Sequence, residues 1–336
     1  MEKLLGLTIL SAFITAVLLV PFIDFIYKIK LRRQKQATSD PFNNKTPVFN
    51  KYNEWKVGTP FGGGILIILV VSILAIWAYG MFNTQVKGWE VFVIFFSFIS
   101  FGLLGLYDDV KKLAHDKQAL VFGLRLRHKF FIQWILALII ASVFYVQLGF
   151  DFIFIQGIGP ISIGALFIPF AAFVIVSFVN AFNIADGLDG LACGLLLICL
   201  VAFLAISAQQ LNETLGIFIS VLLGATTAFL YFNIYKARIW LGDVGSLSLG
   251  AVFAVVGLMT GKTLTLAVIG AVFLLEVGSS LIQILSKRFL KRRILPAAPL
   301  HLYLLQRGWE EPKIVMRAWL VGVFFAFLGV YLAFLT

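Results

Sequence analysis

Aspartates occur in three short polar stretches of a chain that is otherwise strongly apolar. Asp108 and Asp109 stand side by side in YDDVKK, and Asp243 lies in a Gly-Asp-x-Gly-Ser turn. Asp186 and Asp189 belong to the segment NAFNIADGLDGLACG. Adjacent carboxylates repel each other, so such groups favour a shared cation or a shared proton. They can bind Mg²⁺ together with phosphate oxygens or accept a proton, whereas the alternative is a solvated helix end with local Asp–Lys pairs.

Candidate phosphate-binding residues lie in two other stretches. In KVGTPFGGG, Lys56 offers a positive charge and Thr59 a hydroxyl, and such a group at the start of a helix can hold phosphate. The alternative is an ordinary turn before a membrane helix, with its glycines used for tight packing. His301 lies in the long segment from Leu295 to Trp319. It is a candidate phosphate contact or proton carrier, or else an interfacial histidine in an amphipathic segment.

The segment that begins at Asn180 combines amides, acids and glycines. Asn180 and Asn183 are one helical turn apart, and Asp186 and Asp189 have the same spacing. A glycine follows each of these aspartates, so we predict a broken turn with exposed backbone amides rather than a continuous helix. Acids at a membrane are costly and usually functional. The alternative is a polar hairpin in which the Asn and Asp side chains cap helices.

Trp240 stands just before the turn that contains Asp243. Its flat ring offers a face on which a nucleotide base could stack, while the alternative is an aromatic anchor at the membrane interface. An acid at the N-terminus of a helix also has a plain role as a cap or as a partner of the helix dipole.

Together these residues supply the groups that Mg²⁺-dependent phosphoryl transfer needs. Acids can hold the metal, cations can neutralise phosphate, and a carboxylate can take a proton. The set comprises Asp108, Asp109, Asp186, Asp189 and Asp243 with Lys56, Lys112, Lys129 and His301. We therefore expect one substrate to be a lipid of the membrane and the other to come from the cytosol.

The chain around these residues has the composition of a polytopic helical membrane protein. Of its 336 residues, 61% are hydrophobic and 13% are charged, which excludes an ordinary soluble domain. Continuous apolar runs of about 18 residues or more predict membrane-spanning helices. We predict a single all-α domain, residues 1–336, with ten spans at about 5–27, 63–82, 89–107, 130–148, 163–180, 190–208, 214–232, 244–260, 263–286 and 316–335. The first run lacks a small-residue cleavage site before the basic residues that follow, so we expect a retained helix rather than a signal peptide.

The basic residues predict which side of the membrane holds the chemistry. Of the 27 lysines and arginines, 24 lie in the segments 28–56, 108–129, 233–243 and 287–317. The positive-inside rule places these segments in the cytoplasm. With ten spans both termini then lie outside, and parity places the segment after Asn180 on the cytoplasmic side. We therefore expect the active site on the cytoplasmic face.

These motifs, in their order and spacing, resemble those of the polyprenyl-phosphate N-acetylhexosamine-1-phosphate transferases. The chain looks most like their phospho-N-acetylmuramoyl-pentapeptide-transferase branch, and the likeness runs nearly end to end. It implies transfer of phospho-MurNAc-pentapeptide from UDP-MurNAc-pentapeptide to undecaprenyl phosphate, with Mg²⁺ as cofactor and lipid I and UMP as products. It also implies peptidoglycan synthesis in the bacterial cytoplasmic membrane and a homodimer, although the sequence shows no interface motif. No nucleic-acid partner is expected.

The resemblance further implies a role for each motif residue. Asp108 would be the base or the activator of the lipid phosphate, and Asp243 the Mg²⁺ ligand. The other catalytic residues would be Asp109, Lys112, Lys129 and His301. The uridine pocket would comprise Gly187, Leu188 and Asp189, with Asp186 beside it and Trp240 as its aromatic residue. Asn183 and Asn233 would support the pyrophosphate, and Asn180, Lys56 and Thr59 complete the substrate-binding set.

One motif departs from the family pattern. The pentapeptide branch usually has three consecutive histidines after Ala-Pro-x, whereas APLHLYL keeps only His301. The downstream GWEEPKIVMRAW still resembles that branch. The alternative within the family is a GlcNAc-1-phosphate transferase, whose usual His-x-His-His pattern is also missing. An alternative of another class is an ion-coupled transporter, but its ionisable groups should lie near mid-membrane, and here they cluster at one end of the spans.

Overall fold

A computed structural model gives the structure of residues 2–29, 31–32, 56–82, 87–114, 124 and 126–335. Parts of the basic segments that predict the orientation in the membrane, at 30, 33–55, 115–123 and 125, lie outside the described residues. Within the described residues the chain is a bundle of α-helices with one small β-hairpin.

The helices follow the apolar runs of the sequence. The first eight are α1 (Glu2–Lys28), α2 (Gly63–Met81), α3 (Gly88–Ala114), α4 (Leu126–Val146), α5 (Phe167–Ala185), α6 (Leu191–Gln209), α7 (Glu213–Asn233) and α8 (Gly242–Met259). They are followed by α9 (Thr263–Ile269), α10 (Ala271–Leu285), a π-helical turn (Ser286–Leu290), α11 (Leu300–Gln306) and α12 (Glu311–Phe334). Among the described residues nine helices are long and apolar enough to span a membrane, and α9 with α10 provides a tenth span. The predicted all-α polytopic fold is confirmed.

The ninth span differs from the continuous helix predicted over residues 263–286. Its two parts, α9 and α10, are bent by 79° relative to each other. Gly270 stands at the break, where its N–H donates to Leu266 O at 2.9 Å. A Cβ at this position would lie 2.5 Å from the ring of Phe178 in α5, so only glycine lets the bend pack there. Hydropathy reports the length of an apolar run but not its direction, which is why the sequence pattern missed the bend.

A β-hairpin that the sequence did not predict occupies the connection between α4 and α5. Its strands β1 (Phe152–Ile155) and β2 (Gly159–Ser162) pair antiparallel, with Phe152 opposite Ser162. The carbonyl oxygen of Asp151 closes the base of the hairpin by accepting the N–H groups of Ile163 and Gly164 at 2.7 and 3.0 Å. The hairpin follows the C-terminal end of α4, so it lies at the end of the bundle away from Lys129.

The central helix of the bundle is α8, which begins with Gly242 and Asp243. Its span is 89% buried inside the protein, whereas the spans of α1, α4 and α12 are 28% buried. It packs most extensively against α3 and α5. Small residues permit its close contact with α2, because a Cβ on Gly245 would lie 2.9 Å from Gly64 Cα. Asp243 therefore lies on the most buried of the spans in the described part of the chain.

The directions of the helices bring the polar stretches to one end of the bundle. The C-terminal ends of α3, α5 and α7 carry the paired aspartates, the asparagine pair and Asn233. The N-terminal ends of α4, α6, α8 and α12 lie near Lys129, Gly190, Asp243 and Glu311. Alternating helices thus place their chemistry-bearing ends side by side.

We expect Gly250→Ala to destabilise the bundle. A Cβ at Gly250 in α8 would lie 2.9 Å from both Phe182 Cβ and Val179 Cα of α5. Overpacking of this kind costs about 1–3 kcal/mol. The matched control is Gly278→Ala in α10, where no atom lies within 4 Å of the added Cβ, and where alanine favours the helix. Thermal unfolding in detergent compares the two variants, and equal midpoints would contradict the close packing of α5 on α8.

Candidate active site

Five charged side chains converge at the end of the bundle and form what we call the aspartate–lysine cluster: Asp108, Asp109, Lys112, Lys129 and Asp243. Lys112 Nζ lies 2.8 Å from Asp243 Oδ2, 3.1 Å from Asp108 Oδ2 and 3.5 Å from Asp109 Oδ1. Lys129 Nζ lies 3.1 Å from Asp108 Oδ2 and also donates to Asp243 Oδ2. Two ammonium groups, from α3 and α4, therefore bridge three carboxylates from α3 and α8.

The paired aspartates lie on a helix rather than in a loop. Helix α3 continues through both residues to Ala114, so Lys112 is four residues after Asp108 and three after Asp109. These spacings bring side chains to the same face of a helix. Both aspartates are buried, while the side chain of Lys112 retains 28% of its exposure. The helix thus presents its acids inward and leaves an ammonium group at the edge of the cluster.

The backbone at the start of α8 fits tightly around Asp109. Asp109 Oδ2 accepts the N–H of Val244 at 3.1 Å, which satisfies one of the free amides at this helix N-terminus. Gly242 has a positive φ of 72°. A Cβ on Gly242 would lie 2.7 Å from Asp109 Oδ2, so glycine is required here both for its conformation and for the space. Asp109 therefore connects α3 to the segment that carries Asp243.

Two asparagines of α5 line the cluster on the membrane side. Asn183 Nδ2 donates to Ser246 Oγ at 2.7 Å and lies 3.3 Å from Asp243 Oδ1. One turn earlier, Asn180 Nδ2 donates to Gln133 Oε1 and to the carbonyl of Val176, both at 2.8 Å. Asn183 thus orients the carboxylate of Asp243, and Asn180 ties α5 to α4.

The charge of the aspartate–lysine cluster leaves room for a further cation. Three carboxylates face two ammonium groups, which leaves a formal excess of one negative charge. Carboxylate oxygens are the ligands that Mg²⁺ prefers, and Mg²⁺ at phosphate sites is usually held by one or two carboxylates plus phosphate oxygens. No group of three or more potential metal ligands is preassembled among the described residues. Asp243, with Asp108 or Asp109, therefore fits a site that a phosphate ligand would complete.

A second group of charges lies deeper and forms what we call the buried triad: Lys56, Asp189 and Glu311. Lys56 Nζ lies 3.0 Å from Asp189 Oδ1 and 2.6 Å from Glu311 Oε1. Only 1% of the Lys56 side chain is exposed. Its Nζ also lies 5.4 Å from the centre of the Trp240 ring. Lys56 is thus enclosed by two acids and an aromatic face.

The turn between α5 and α6 runs from Asp186 to Gly190 and is broken as predicted. The N–H of Asp189 donates to Glu311 Oε1 at 2.7 Å, and the N–H of Gly190 donates to Asn233 Oδ1 at 3.2 Å. Asp189 Oδ2 accepts the N–H of Ala237 at 2.9 Å. The amides of Asp189 and Gly190 are therefore bound by protein groups and are not exposed, contrary to that part of the prediction. The side chain of Asp189 links this turn to the segment before α8.

The remaining residues of the turn differ in their exposure. Leu188 is part of the hydrophobic core, whereas Asp186 and Gly187 are partly exposed. Burial of its carboxyl and the nearby carboxylates of Asp243 and Asp189 raise the pKa of Asp186 well above its ordinary value, with Lys56 opposing the shift. The charges of both the aspartate–lysine cluster and the buried triad therefore influence Asp186.

Backbone pairing joins the segment of Thr59 to that of Trp240. The N–H of Trp240 donates to Pro60 O at 3.0 Å, and the N–H of Gly63 donates to Trp240 O at 2.9 Å. The N–H of Thr59 closes a turn onto Lys56 O at 3.3 Å, and its side chain is partly exposed. Asn233 supports the same segment because its Nδ2 donates to Ile239 O at 3.0 Å. These contacts make one wall from residues that are far apart in the chain.

His301 lies on α11 and is oriented by a glutamate. Its Nδ1 lies 3.0 Å from Glu276 Oε2 on α10, and only 2% of the histidine is exposed. Its imidazole packs against Gly187, since a Cβ on that glycine would lie 2.6 Å from His301 Nε2. The predicted histidine therefore contacts the turn between α5 and α6 through one edge of its ring.

The structure adds four residues that the sequence analysis missed: Gln133, Ser246, Glu276 and Glu311. Both glutamates are buried, and Glu276 is the one acid within the apolar run 263–286. An acid inside a span is costly and usually functional, so Glu276 had a usable signal. Glu311 stands next to Glu310 at a helix start, where either acid suits the helix dipole, and Gln133 and Ser246 had no distinguishing signal.

Comparisons with known proteins give a consistent result. Residues 91–261 match the family model described as glycosyl transferase family 4. The chain is 33% identical over 334 residues to the phospho-N-acetylmuramoyl-pentapeptide-transferase of Geobacillus thermodenitrificans, covering 98% of both chains. It is 33% identical to the transferase of the same name from Borrelia hermsii, over 95% of this chain and 92% of that one. The corresponding protein of Heliobacterium modesticaldum is 36% identical over 84% of this chain and 86% of its own.

We expect Lys56→Met to destabilise the protein strongly. The substitution leaves the carboxylates of Asp189 and Glu311 buried without their cation, and breaking a buried pair in this way costs about 3–5 kcal/mol. The matched control is Lys87→Met, because the Lys87 side chain is 75% exposed and pairs with Glu90 at 3.4 Å. Glu90 is mostly buried, but the Lys87 ammonium lies in solvent and its pairing is screened, so we expect this variant to lose only about 1 kcal/mol. Unfolding in detergent measures both variants, and similar losses for the two would show that the buried triad adds no special stability.

Proposed function

The chain belongs to the family of phospho-N-acetylmuramoyl-pentapeptide-transferases, and we propose that it makes lipid I and UMP from UDP-MurNAc-pentapeptide and undecaprenyl phosphate. It is a phosphotransferase of the bacterial cytoplasmic membrane with a UDP-sugar and a polyprenyl phosphate as its substrates. We place the reaction on the cytoplasmic face, with both termini on the other side. The homodimer stays a prediction.

The aspartate–lysine cluster is the observation that carries this proposal. It joins Asp108, Asp243 and Lys129 from three helices at the end of a membrane bundle. Phosphoryl transfer is catalysed chiefly by positioning the phosphates and stabilising their charge, which requires cations and metal-binding carboxylates in one place. The location at the end of the spans also lets a lipid phosphate and a water-soluble nucleotide reach the same site.

Mg²⁺ is the cofactor that suits this set of ligands. Asp243 would hold it, with Asp108 or Asp109 and substrate phosphate oxygens completing the coordination. The bound metal would supply positive charge to the phosphate oxygens. In the described structure Asp243 Oδ2 instead contacts Lys112 and Lys129, so these lysines would turn towards substrate phosphate when the metal is bound.

We assign the proton and the charge of the lipid phosphate to residues at the ends of α3 and α4. Asp108 Oδ2 is the oxygen that faces Lys112 and Lys129, while Asp108 Oδ1 accepts the N–H of Leu124 at 2.6 Å. Asp108 would take the proton of undecaprenyl phosphate, whose oxygen then attacks the β-phosphate of the donor. The two lysines would neutralise the charge that spreads over the phosphates as UMP leaves. Asp109 would act by holding the start of α8.

The uridine end of the donor would lie over the turn from Asp186 to Asp189. Trp240 would offer an aromatic face to the base. Thr59 would offer a partly exposed hydroxyl, and Gly187 would offer partly exposed backbone. Asn183 would bridge from Asp243 towards the pyrophosphate, and Asn180 and Asn233 would hold the surrounding helices and segments in place. Leu188 and Lys56 are buried, so we propose that they shape the wall rather than contact the nucleotide.

The choice of donor rests on identity over the whole chain, because one motif is incomplete. His301 is the single histidine where the pentapeptide branch usually has three, and it is followed by Leu302 and Tyr303. The relatives that share about a third of their residues with nearly all of this chain bear the pentapeptide-transferase name. UDP-GlcNAc remains the donor to test against it.

We expect purified protein to release UMP from UDP-MurNAc-pentapeptide in the presence of undecaprenyl phosphate and Mg²⁺, and not from UDP-GlcNAc. Asp243→Ala should lower the rate by roughly 100-fold or more, since removing a group that stabilises transition-state charge has effects of that size. Asp151→Ala, at the other end of the bundle, is the control and should keep the wild-type rate. Release from UDP-GlcNAc alone would assign the chain to the sister branch.

Removal of divalent metal should abolish the reaction reversibly. A chelator such as EDTA is expected to reduce UMP release to background, and added Mg²⁺ should restore it, because the cluster lacks the extra positive charge without the metal. The rate is measured before chelation, after it and after Mg²⁺ is added back. An unchanged rate after exhaustive chelation would argue that the lysines suffice.

A further inference from the structure

One carboxylate oxygen of Glu311 joins three distant parts of the chain. Glu311 Oε1 accepts from Lys56 Nζ at 2.6 Å and from the backbone N–H of Asp189 at 2.7 Å. Lys56 lies before α2, Asp189 lies between α5 and α6, and Glu311 is the first residue of α12. The partners are 255 and 122 residues away in sequence. These contacts exist only through the tertiary fold.

The contacts of Glu311 are directed at the backbone of the turn as well as at a charge. A backbone N–H held by a carboxylate fixes the local path of the chain, and a charge-assisted hydrogen bond of this kind is short and strong. Asp189 is fixed from its other side as well, by Lys56 on Oδ1 and by the N–H of Ala237 on Oδ2. The turn is thus held in one conformation by interactions from three directions.

Burial of these charged groups carries a free-energy cost. Glu311 is 7% exposed and Asp189 4% exposed. Such charges are tolerated in a protein interior only when they are paired and hydrogen-bonded. A buried carboxylate that holds a backbone amide beside a substrate-binding turn is better explained by a need for a defined geometry than by a gain in stability, since apolar residues of similar volume often stabilise as much.

We propose that Glu311 is a positioning residue for the UDP-sugar donor, which it serves by holding the turn from Asp186 to Gly190 without touching the substrate. The inference rests on the proposed function, because that turn is the expected uridine wall. It places the start of α12 among the elements that determine donor affinity. The lipid phosphate, which we assign to the ends of α3 and α4, should be insensitive to Glu311.

The test compares Glu311→Ala with Glu310→Ala. Glu310 directly precedes Glu311, is exposed, and is the N-cap residue of α12. Glu310→Ala therefore removes the same charge at the neighbouring position. For each variant, UMP release is measured while UDP-MurNAc-pentapeptide and undecaprenyl phosphate are varied in turn. We expect Glu311→Ala to raise the KM for the donor about tenfold or more, with the KM for the lipid changed by less than about twofold. Glu310→Ala should match the wild type.

Glu311→Gln separates positioning from charge. Its side-chain oxygen can still accept the N–H of Asp189, although the ion pair with Lys56 is lost. We expect its donor KM to lie between those of the wild type and Glu311→Ala, about threefold above that of Glu310→Ala, because the turn stays anchored while the ion pair with Lys56 is lost. If Glu311→Ala does not fold, this threefold rise supports the proposal, and a donor KM equal to that of Glu310→Ala overturns it.

The outcomes separate the two levels of the argument. If the wild type releases no UMP from UDP-MurNAc-pentapeptide, the proposed function fails and the role of Glu311 fails with it. If the wild type is active but the Glu311 variants keep both KM values and lose only thermal stability, Glu311 is structural and the inference is overturned. A fall in kcat with both KM values unchanged would overturn it too, because that pattern belongs to a residue that acts in the reaction step.

Discussion

Ion pairing between two lysines and three aspartates is the interaction on which the active end of this bundle depends. Carboxylates from α3 and α8 could not remain together in a largely apolar protein without compensating charge. Lys112 supplies that charge from the same helix as Asp108 and Asp109, and Lys129 supplies it from the next helix. In the proposed reaction, the excess of acid over base would favour binding of a cation, and the bound cation would favour binding of phosphate. The same three carboxylates and two ammonium groups would thus both hold the helix ends together and take part in the proposed reaction.

Glycines and small residues allow the helices to approach closely enough for that pairing. Asp243 can face α3 and α5 because its helix is the most buried of the bundle and because Gly242 leaves space for Asp109. The same principle operates at Gly187, where the absence of a side chain admits the imidazole of His301. The hydrophobic effect does not drive membrane helices together as it does soluble helices, so their association depends more on close packing of small residues. The positions of the proposed catalytic groups therefore depend on glycines that leave space for them.

We propose different tasks for the two charged groups on the basis of their burial. Lys112 and Lys129 keep part of their exposure and can move towards a substrate, whereas Lys56 is enclosed and has its charge used within the protein. The resemblance to the transferase family groups Lys56 with the substrate-binding residues, and its geometry makes it part of the support beneath them. The charges of both groups influence the pKa of Asp186. Support and reaction are thus adjacent but distinct, linked by the short turn between α5 and α6.

The sequence alone determined the membrane-spanning architecture, because a long apolar run has one stable solution in a bilayer, the helix. It also identified the acids and lysines of the cluster, since charged residues in an apolar chain stand out by type. The tertiary structure alone decided which partners they have. Glu311 with Lys56, Glu276 with His301 and Asn183 with Ser246 pair residues that no spacing relates. The bend at Gly270 and the hairpin after α4 were likewise decided there, because periodicity describes one segment at a time whereas contacts depend on how the segments pack against each other.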